Sequence, residues 1–426
     1  MTSRRRTVLM INKYYFIRGG AERYMFELTA VLESIGHRVV PFSMRHPDNF
    51  LTSYEAYFLS NIEFDVRNPW RKLRLAFRGA GRILYSFEAR RRLGRLIRQT
   101  KPDIAHLHMI DHQISPSILH TLKKHGIPVV QTVHQYKLVC PNYLFYIPWR
   151  SRICTKCLDR NPLHPLLERC HKKSIPASGL LVLETLLHRL LKMYGRIDRF
   201  HVPSRFMGRM LQKGGVPEKK IVHHNYCIQI EDFPQSNIFE SEYVYVGRLS
   251  AEKGLRTLLH AAADLPDYAL TVIGDGPERP KLEAFVRERR LRHVRFTGAL
   301  RKKEVVWRVS RARFVTVPSE WYENSPLVIY ESFALGKPVV GADIGGISEL
   351  IEPGETGLLF PAGDAERLRE CIRTLMADAA KCRTMGKNAR LKAESRFSGQ
   401  AHAPFIVHLY DSLIEKESKR RNMGVP

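Results

Sequence analysis

At 426 residues the chain is long for one domain, and 44% hydrophobic with 26% charged residues is enough to fill two cores, which argues against disorder. The 69 Lys and Arg exceed the 42 Asp and Glu by 27, so an anionic partner is expected: phosphates, a membrane surface or nucleic acid. No run of about 18 consecutive apolar residues occurs, which argues against a spanning helix and leaves peripheral contact as the expected form of any membrane association.

The N-terminus reads as strand, loop and helix. RTVLMIN is a short buried run, KYYFIRGG a loop ending in two glycines, and AERYMFELTAVLESIGH a helix by its apolar spacing, stopping at Gly36. The start shows no secretory pattern, and seven unevenly spread cysteines fit a reducing cytoplasm, which is the expected location. RVVPFSM, DIAHLH (103–108) and PVVQTVH (128–134) continue as strands separated by helical text, the signature of βαβ units on a parallel sheet. A strand, helix and strand within RFHVPSRFMGRMLQKGGVPEKKIVHHNYCI close this first domain, expected over 1–228 with a cysteine-containing insertion at about 138–175.

A second series begins near residue 242: strand EYVYVGRL, helix LRTLLHAAADL, strand YALTVIGDG, helix PKLEAFVRERR, then strands VRFTGAL, RFVTVPS and PVVGAD. The fold class is therefore α/β, two doubly wound Rossmann-like domains facing a cleft, with the second expected over 229–396. The helical tail 397–426 is expected to cross back onto the first.

Within WYENSPLVIYE (321–331), Asn324 or Ser325 suits an N-cap and Pro326 the first helical position, with the helix running to about Leu335. Its free N–H groups and positive dipole end would seat an anion. Glu323 lies just outside that end and Glu331 roughly 7.5 Å along the axis, so carboxylates could meet both hydroxylated ends of a nucleoside diphosphate sugar. The alternative makes Glu323 a partner of the helix dipole and Glu331 a solvated residue. In YVGRLSAEKG, Arg248 and Lys253 occupy the loop after a strand, where an open α/β sheet binds its ligand. They could neutralise a diphosphate or be two surface cations. No D-x-D motif exists to hold a metal–diphosphate complex.

GGAERYMFELTAVLESIGHRV, YVGRLSAEKGL, IGDGPE, PSEWYENSPLVIYESFALGKPVVGADIGGISELI and GETGLLFPAGD resemble, in order and over nearly the whole chain, the family 4 retaining glycosyltransferases of the GT-B fold. The resemblance implies that Arg248 and Lys253 hold the donor diphosphate, that Glu323 holds donor-sugar hydroxyls and that Glu331 holds the ribose. It implies that Asn324, Ser325 and the N–H groups of Leu327 and Val328 complete the donor seat, and that Gly19 and Gly20 let the first-domain loop approach the phosphate. His134 resembles the family histidine that faces the transferred sugar; a satisfied strand-end histidine is the other reading. Relatives often carry Asp after that histidine, whereas here Gln135 follows, which leaves acceptor recognition open.

Expected activity is transfer of a sugar from a nucleotide-diphosphate donor to a lipid-linked or polysaccharide acceptor in surface-polysaccharide synthesis, with no metal and no cofactor required. Another GT-B enzyme, such as a phosphorylase or nucleotide-sugar epimerase, and a non-catalytic carbohydrate- or nucleic-acid-binding protein remain alternatives. No nucleic-acid-binding motif is present, so that partner is not expected. Cys140, Cys154, Cys157 and Cys170 could supply a structural zinc site or be four reduced thiols. From Arg67 to Lys101, twelve Lys or Arg stand against the single acid Glu88, interleaved with Trp70, Leu73, Phe77, Ile83, Leu84, Tyr85 and Phe87. That mixture suits an interfacial helix on an anionic membrane surface, or a solvated helix with one buried face.

Overall fold

The computed structural model describes residues 5–61, 79 and 81–423. The first half builds strands β1 (Thr7–Ile11), β2 (Arg38–Phe42), β3 (Ile104–Leu107) and β4 (Val129–Thr132), a small antiparallel hairpin of β5 (Tyr146–Ile147) and β6 (Arg152–Ile153), and then β7 (Arg199–Val202) and β8 (Ile221–His223). The hairpin aside, these pair in parallel in the order β2-β1-β3-β4-β7-β8. The second half adds β9 (Glu242–Val246), β10 (Ala269–Ile273), β11 (Val294–Gly298), β12 (Phe314–Val317), β13 (Val339–Ala342) and β14 (Gly357–Phe360), ordered β11-β10-β9-β12-β13-β14 and again parallel. Runs such as VLMI and FVTV are buried along their whole length because helices cover both faces of a parallel sheet.

The chain reverses its winding between β1 and β3 in the first sheet and between β9 and β12 in the second. An open α/β sheet forms its ligand crevice at such a point, outside the carboxyl ends of the strands. The tail returns to the first half as the helix Gly399–Asn422, capped by Ser398, whose hydroxyl accepts from Ala401 N at 3.1 Å. Arg6 pairs with Asp411 at 2.9 Å, and one apolar cluster joins Val8 and Met10 of β1, Ile329 and Phe333 of the second half, and Ile406 and Leu409 of the tail.

Several local expectations need correction. The helix in the WYENSPLVIYE stretch spans Leu327–Ala334 with Pro326 as its N-cap, in extended conformation, so Pro326 is not the first helical residue and neither Asn324 nor Ser325 caps it. Both side chains are drawn into other hydrogen bonds, described below. Glu331 is buried rather than solvated. The segment GLLF, noted only as part of a motif, forms the edge strand β14, and the β5–β6 hairpin was not anticipated.

The basic stretch is partly described. Trp70, Arg71, Leu73, Arg74, Phe77 and Arg78 lie outside the described residues. The helix Phe87–Thr100 begins on the Ser86 cap, and Arg82 is buried, ion-paired with Glu88 and donating to Ser60 O at 2.6 Å. Arg82 thus serves the fold and is no membrane-facing cation.

Candidate functional site

The crevice of the second sheet collects most of the predicted donor residues. Strand β9 leads into the Gly247–Lys253 loop, and β12 into the loop carrying Ser319, Glu323, Asn324 and Ser325. The two loops are pressed together at Gly254, which has φ +67°, and a Cβ there would come within 1.7 Å of Pro318 O. Only glycine fits this contact, and it brings Lys253 to Glu323.

Lys253 Nζ meets Glu323 Oε1 at 2.5 Å, with Ser319 Oγ on the same oxygen at 2.9 Å and the Trp321 ring 5.4 Å from the ammonium. Burial pushes the Glu323 carboxyl up, but the Lys253 charge and the hydrogen bonds from Lys253 and Ser319 outweigh it, holding the group below its ordinary range. Glu323 is therefore an ionised acceptor at neutral pH. Arg248 is exposed nearby, and its guanidinium makes no hydrogen bond or ion pair with the described residues.

Next to this pair lies the start of the Leu327–Ala334 helix. Pro326 has no side-chain oxygen to cap it, so the first-turn N–H groups of Leu327 and Val328 receive no side-chain cap. Asn324 instead donates to Val133 O at 2.8 Å and accepts from Ser204 Oγ at 3.0 Å, tying the second half to the first. The Ser325 hydroxyl bonds Tyr330 OH at 2.6 Å. Both side chains tie down the loop, and neither caps the helix.

Across the cleft, Gly19 is the N-cap of the helix Gly20–Ser34 and makes no side-chain cap hydrogen bond; both glycines are exposed. A Cβ on Gly20 would make ordinary contact with Leu327, 3.6 Å away, so no neighbour within the chain demands glycine there. Arg23, one turn further, forms an ion pair with Glu331. Burial raises the Glu331 carboxyl above its ordinary value, an effect that the Arg23 charge only partly opposes.

His134 is placed at the end of β4 with both ring nitrogens engaged internally: Nδ1 with Tyr226 OH at 2.7 Å and Nε2 with His108 Nδ1 at 2.9 Å. Burial, reinforced by His201, lowers its pKa to about 3, so the ring is neutral. In either tautomer no ring nitrogen is left over for the cleft. Gln135 donates from Nε2 to Asp111 Oδ2 at 2.7 Å, a carboxylate on the loop after β3.

Arg23, Asp111, His108 and Tyr226 were not anticipated. Arg23 carried one usable signal, a cation one turn into the helix that starts at the glycine loop. The others depend on strand adjacency across the sheet.

All seven cysteines are free thiols. Cys140, Cys154 and Cys170 all lie within electrostatic reach of Cys157. Even so, among the described residues no group of three or more His, Cys, Asp or Glu is arranged to hold a metal ion, so the zinc reading gains no geometric support.

Comparison with known proteins gives this arrangement its family. Residues 18–225 match glycosyltransferase family 4, and residues 229–392 match glycosyl transferases group 1. The chain belongs to the GT-B glycosyltransferases of family 4. Over 172 residues, 39% of this chain, it is 32% identical to the alpha-D-kanosaminyltransferase of Streptomyces kanamyceticus, of which the match spans 44%. Sucrose-phosphate synthase of Thermosynechococcus elongatus superposes with a TM-score of 0.71 at 21% identity, covering 97% of this chain and 100% of the other. Anabaena HepE, solved in complex with UDP and glucose, gives a TM-score of 0.65 at 17% identity over 96% and 100% of the two chains. These structural likenesses establish the GT-B fold of this family 4 member.

Proposed function

We propose that the protein transfers a hexosyl unit from a nucleoside diphosphate sugar to a hydroxyl-bearing acceptor, with retention at the anomeric carbon. The observation that carries the reading is the Lys253–Glu323 pair set beside an uncapped helix end at the crevice of the second sheet. The diphosphate would lie between Arg248, Lys253 and the N–H groups of Leu327 and Val328, with Gly19 and Gly20 admitting it from the facing half. Glu323, kept ionised by Lys253, would accept from donor-sugar hydroxyls, and Glu331 would accept from the ribose. The complex of Anabaena HepE with UDP and glucose supports testing uridine donors first.

In the transfer step the acceptor oxygen bonds to the anomeric carbon while the bond from that carbon to the diphosphate oxygen breaks. The leaving diphosphate keeps the electron pair and takes the acceptor's proton. His134 then need not exchange a proton, in keeping with its neutral, doubly bonded ring. Arg248 and Lys253 offset the charge that grows on the leaving group, without a metal or other cofactor. A saccharide or lipid-linked acceptor is the class we assign, in polysaccharide synthesis at the inner face of the cytoplasmic membrane.

Incubation with a panel of nucleotide sugars tests this. One donor should raise the melting temperature and release its nucleoside diphosphate in the presence of saccharide acceptors, with the glycosylated product seen by mass spectrometry. If no donor stabilises the protein and none is turned over, the reading is wrong. Turnover that requires inorganic phosphate would make it a phosphorylase instead.

A further inference from the structure

The helix Ile175–Leu190 is packed inside out. Its buried face carries Ser178, Glu184 and His188 beside Leu181 and Val182. The polar side chains there are drawn inward: Ser178 Oγ accepts from His171 N at 3.2 Å, Glu184 Oε2 takes Lys137 Nζ at 2.6 Å, and His188 Nε2 meets Leu84 O at 3.0 Å. The outward face holds Ile175, Leu183, Leu186 and Leu190, which are 49%, 52%, 44% and 80% exposed. At about 100° per residue these four fall within roughly 80° of arc, a single apolar stripe. A surface helix in water shows the opposite pattern. Leu167, on the short helix His164–Leu167 packed alongside, is 71% exposed as well.

Exposed cations bracket the stripe: Lys172 and Lys173 just before the helix, Arg189 and Lys192 at its far end. Sixteen residues reach roughly 24 Å, short of the roughly 30 Å hydrocarbon core, and no helix among the described residues is long and apolar enough to cross a membrane. An apolar stripe with cations at both ends matches a bilayer interface, where leucines enter the acyl boundary and Lys and Arg stay among anionic headgroups. A second copy of this chain is a poor occupant, since two molecules each with a formal charge of +27 repel.

We propose that the helix Ile175–Leu190 is a membrane-docking element that lies flat in the interface of an anionic bilayer through Ile175, Leu183, Leu186 and Leu190. It lies in the first half of the chain, C-terminal to the basic stretch 67–101, whose Leu84 carbonyl it meets through His188. Docking there would hold the cleft at the surface from which a lipid-linked acceptor is presented.

The test is sedimentation of the full chain with vesicles of phosphatidylglycerol and phosphatidylethanolamine, against vesicles of phosphatidylcholine alone. Wild type should bind the anionic vesicles and keep part of that binding in about 0.5 M salt, where charge attraction is screened. The triple variant Leu183→Ser, Leu186→Ser, Leu190→Ser should bind about tenfold more weakly or worse and lose the salt-resistant part, with an unchanged melting temperature because these side chains are exposed. A separate Leu186→Trp variant should show a blue-shifted indole emission on anionic vesicles only. Wild type that ignores anionic vesicles, a triple variant that binds like wild type, or a wild-type dimer that the triple variant dissolves would each overturn the proposal. Donor turnover with a soluble acceptor and no vesicles reads the proposed function separately, and the triple variant should retain it.

Discussion

Arg23 and Glu331 form an ion pair across the cleft, though they stand 308 positions apart in the chain. The pair joins the helix that starts at the Gly19–Gly20 loop to the helix that starts beside Glu323, so both halves of the cleft share one carboxylate. If Glu331 holds the ribose, it holds a part of the donor that does not change during transfer. Glu331→Gln should therefore raise KM about tenfold with kcat within about threefold, whereas Glu323→Gln, which touches the reacting sugar, should lower kcat by about a hundredfold. Steady-state kinetics with the donor varied would separate the two, and small equal effects would return both residues to structural roles.

The two cations of the clamp should differ in what they do besides catalysis. Arg248→Ala and Lys253→Ala should each slow transfer by about 10²- to 10³-fold, the scale of losing one preorganised electrostatic group. Lys253→Ala also strands the buried Glu323 carboxylate and should lower the melting temperature, while the exposed Arg248 can be removed without thermal cost. Activity assays paired with thermal melts check both halves of this expectation.

That difference between Arg248 and Lys253 marks where reading the sequence runs out. Eleven of the twelve strands in the two large sheets were readable as strands, because buried parallel strands are short apolar runs with Pro or Gly nearby; GLLF of β14 lacked a reading because its interest lay in the glycines around it. Arg248, Lys253, Glu323, Asn324 and Ser325 could be singled out because they fall within two short loops, 247–253 and 318–326. What local pattern cannot carry is the partner. Asn324 looked like a cap until Ser204 and Val133 claimed its side chain, and the choice between a donor-facing and a solvated Glu331 was left open because its partner Arg23 lies 308 positions away. His134 was readable as a strand-end histidine, but its enclosure by Tyr226 and His108 depends on three separate strand ends meeting.

That enclosure makes a prediction about pH. A catalytic histidine titrating near its ordinary value would bend the rate profile around pH 6.5. With its pKa lowered to about 3, His134 stays neutral across the working range, so log kcat should be flat between about pH 5.5 and 7.5 for want of any His134 ionisation. An inflection near pH 6.5 that disappears in His134→Gln would show that the ring titrates and faces the reaction after all.

Transfer should also survive chelation. The chain has no D-x-D motif, and in the proposed donor complex Arg248 and Lys253 would neutralise the diphosphate charge instead of a metal. Rates in EDTA should match those without it to within about twofold. Loss of activity that Mg²⁺ or Mn²⁺ restores would require a metal in the donor complex.

The two carboxylates should also titrate in opposite senses. Glu323 has a folded-state pKa below its ordinary value of 4.5, so its contribution to stability is present above that value and is lost as pH falls through the folded pKa. Glu331 has a folded-state pKa above 4.5, so its contribution is present below 4.5 and is lost as pH rises through the raised value. Scanning calorimetry of wild type, Glu323→Gln and Glu331→Gln from about pH 3 to 7 reads both. The stability of wild type relative to Glu323→Gln should grow as pH rises toward and past 4.5, while that relative to Glu331→Gln should shrink across the window above it. Saturating donor should flatten the second trend, because ribose hydroxyls that bond to Glu331 favour its ionised form and lower its pKa. If both differences move the same way with pH, the Lys253 pairing of Glu323 and the burial of Glu331 do not set the charges of these two groups, and the division of labour between them fails.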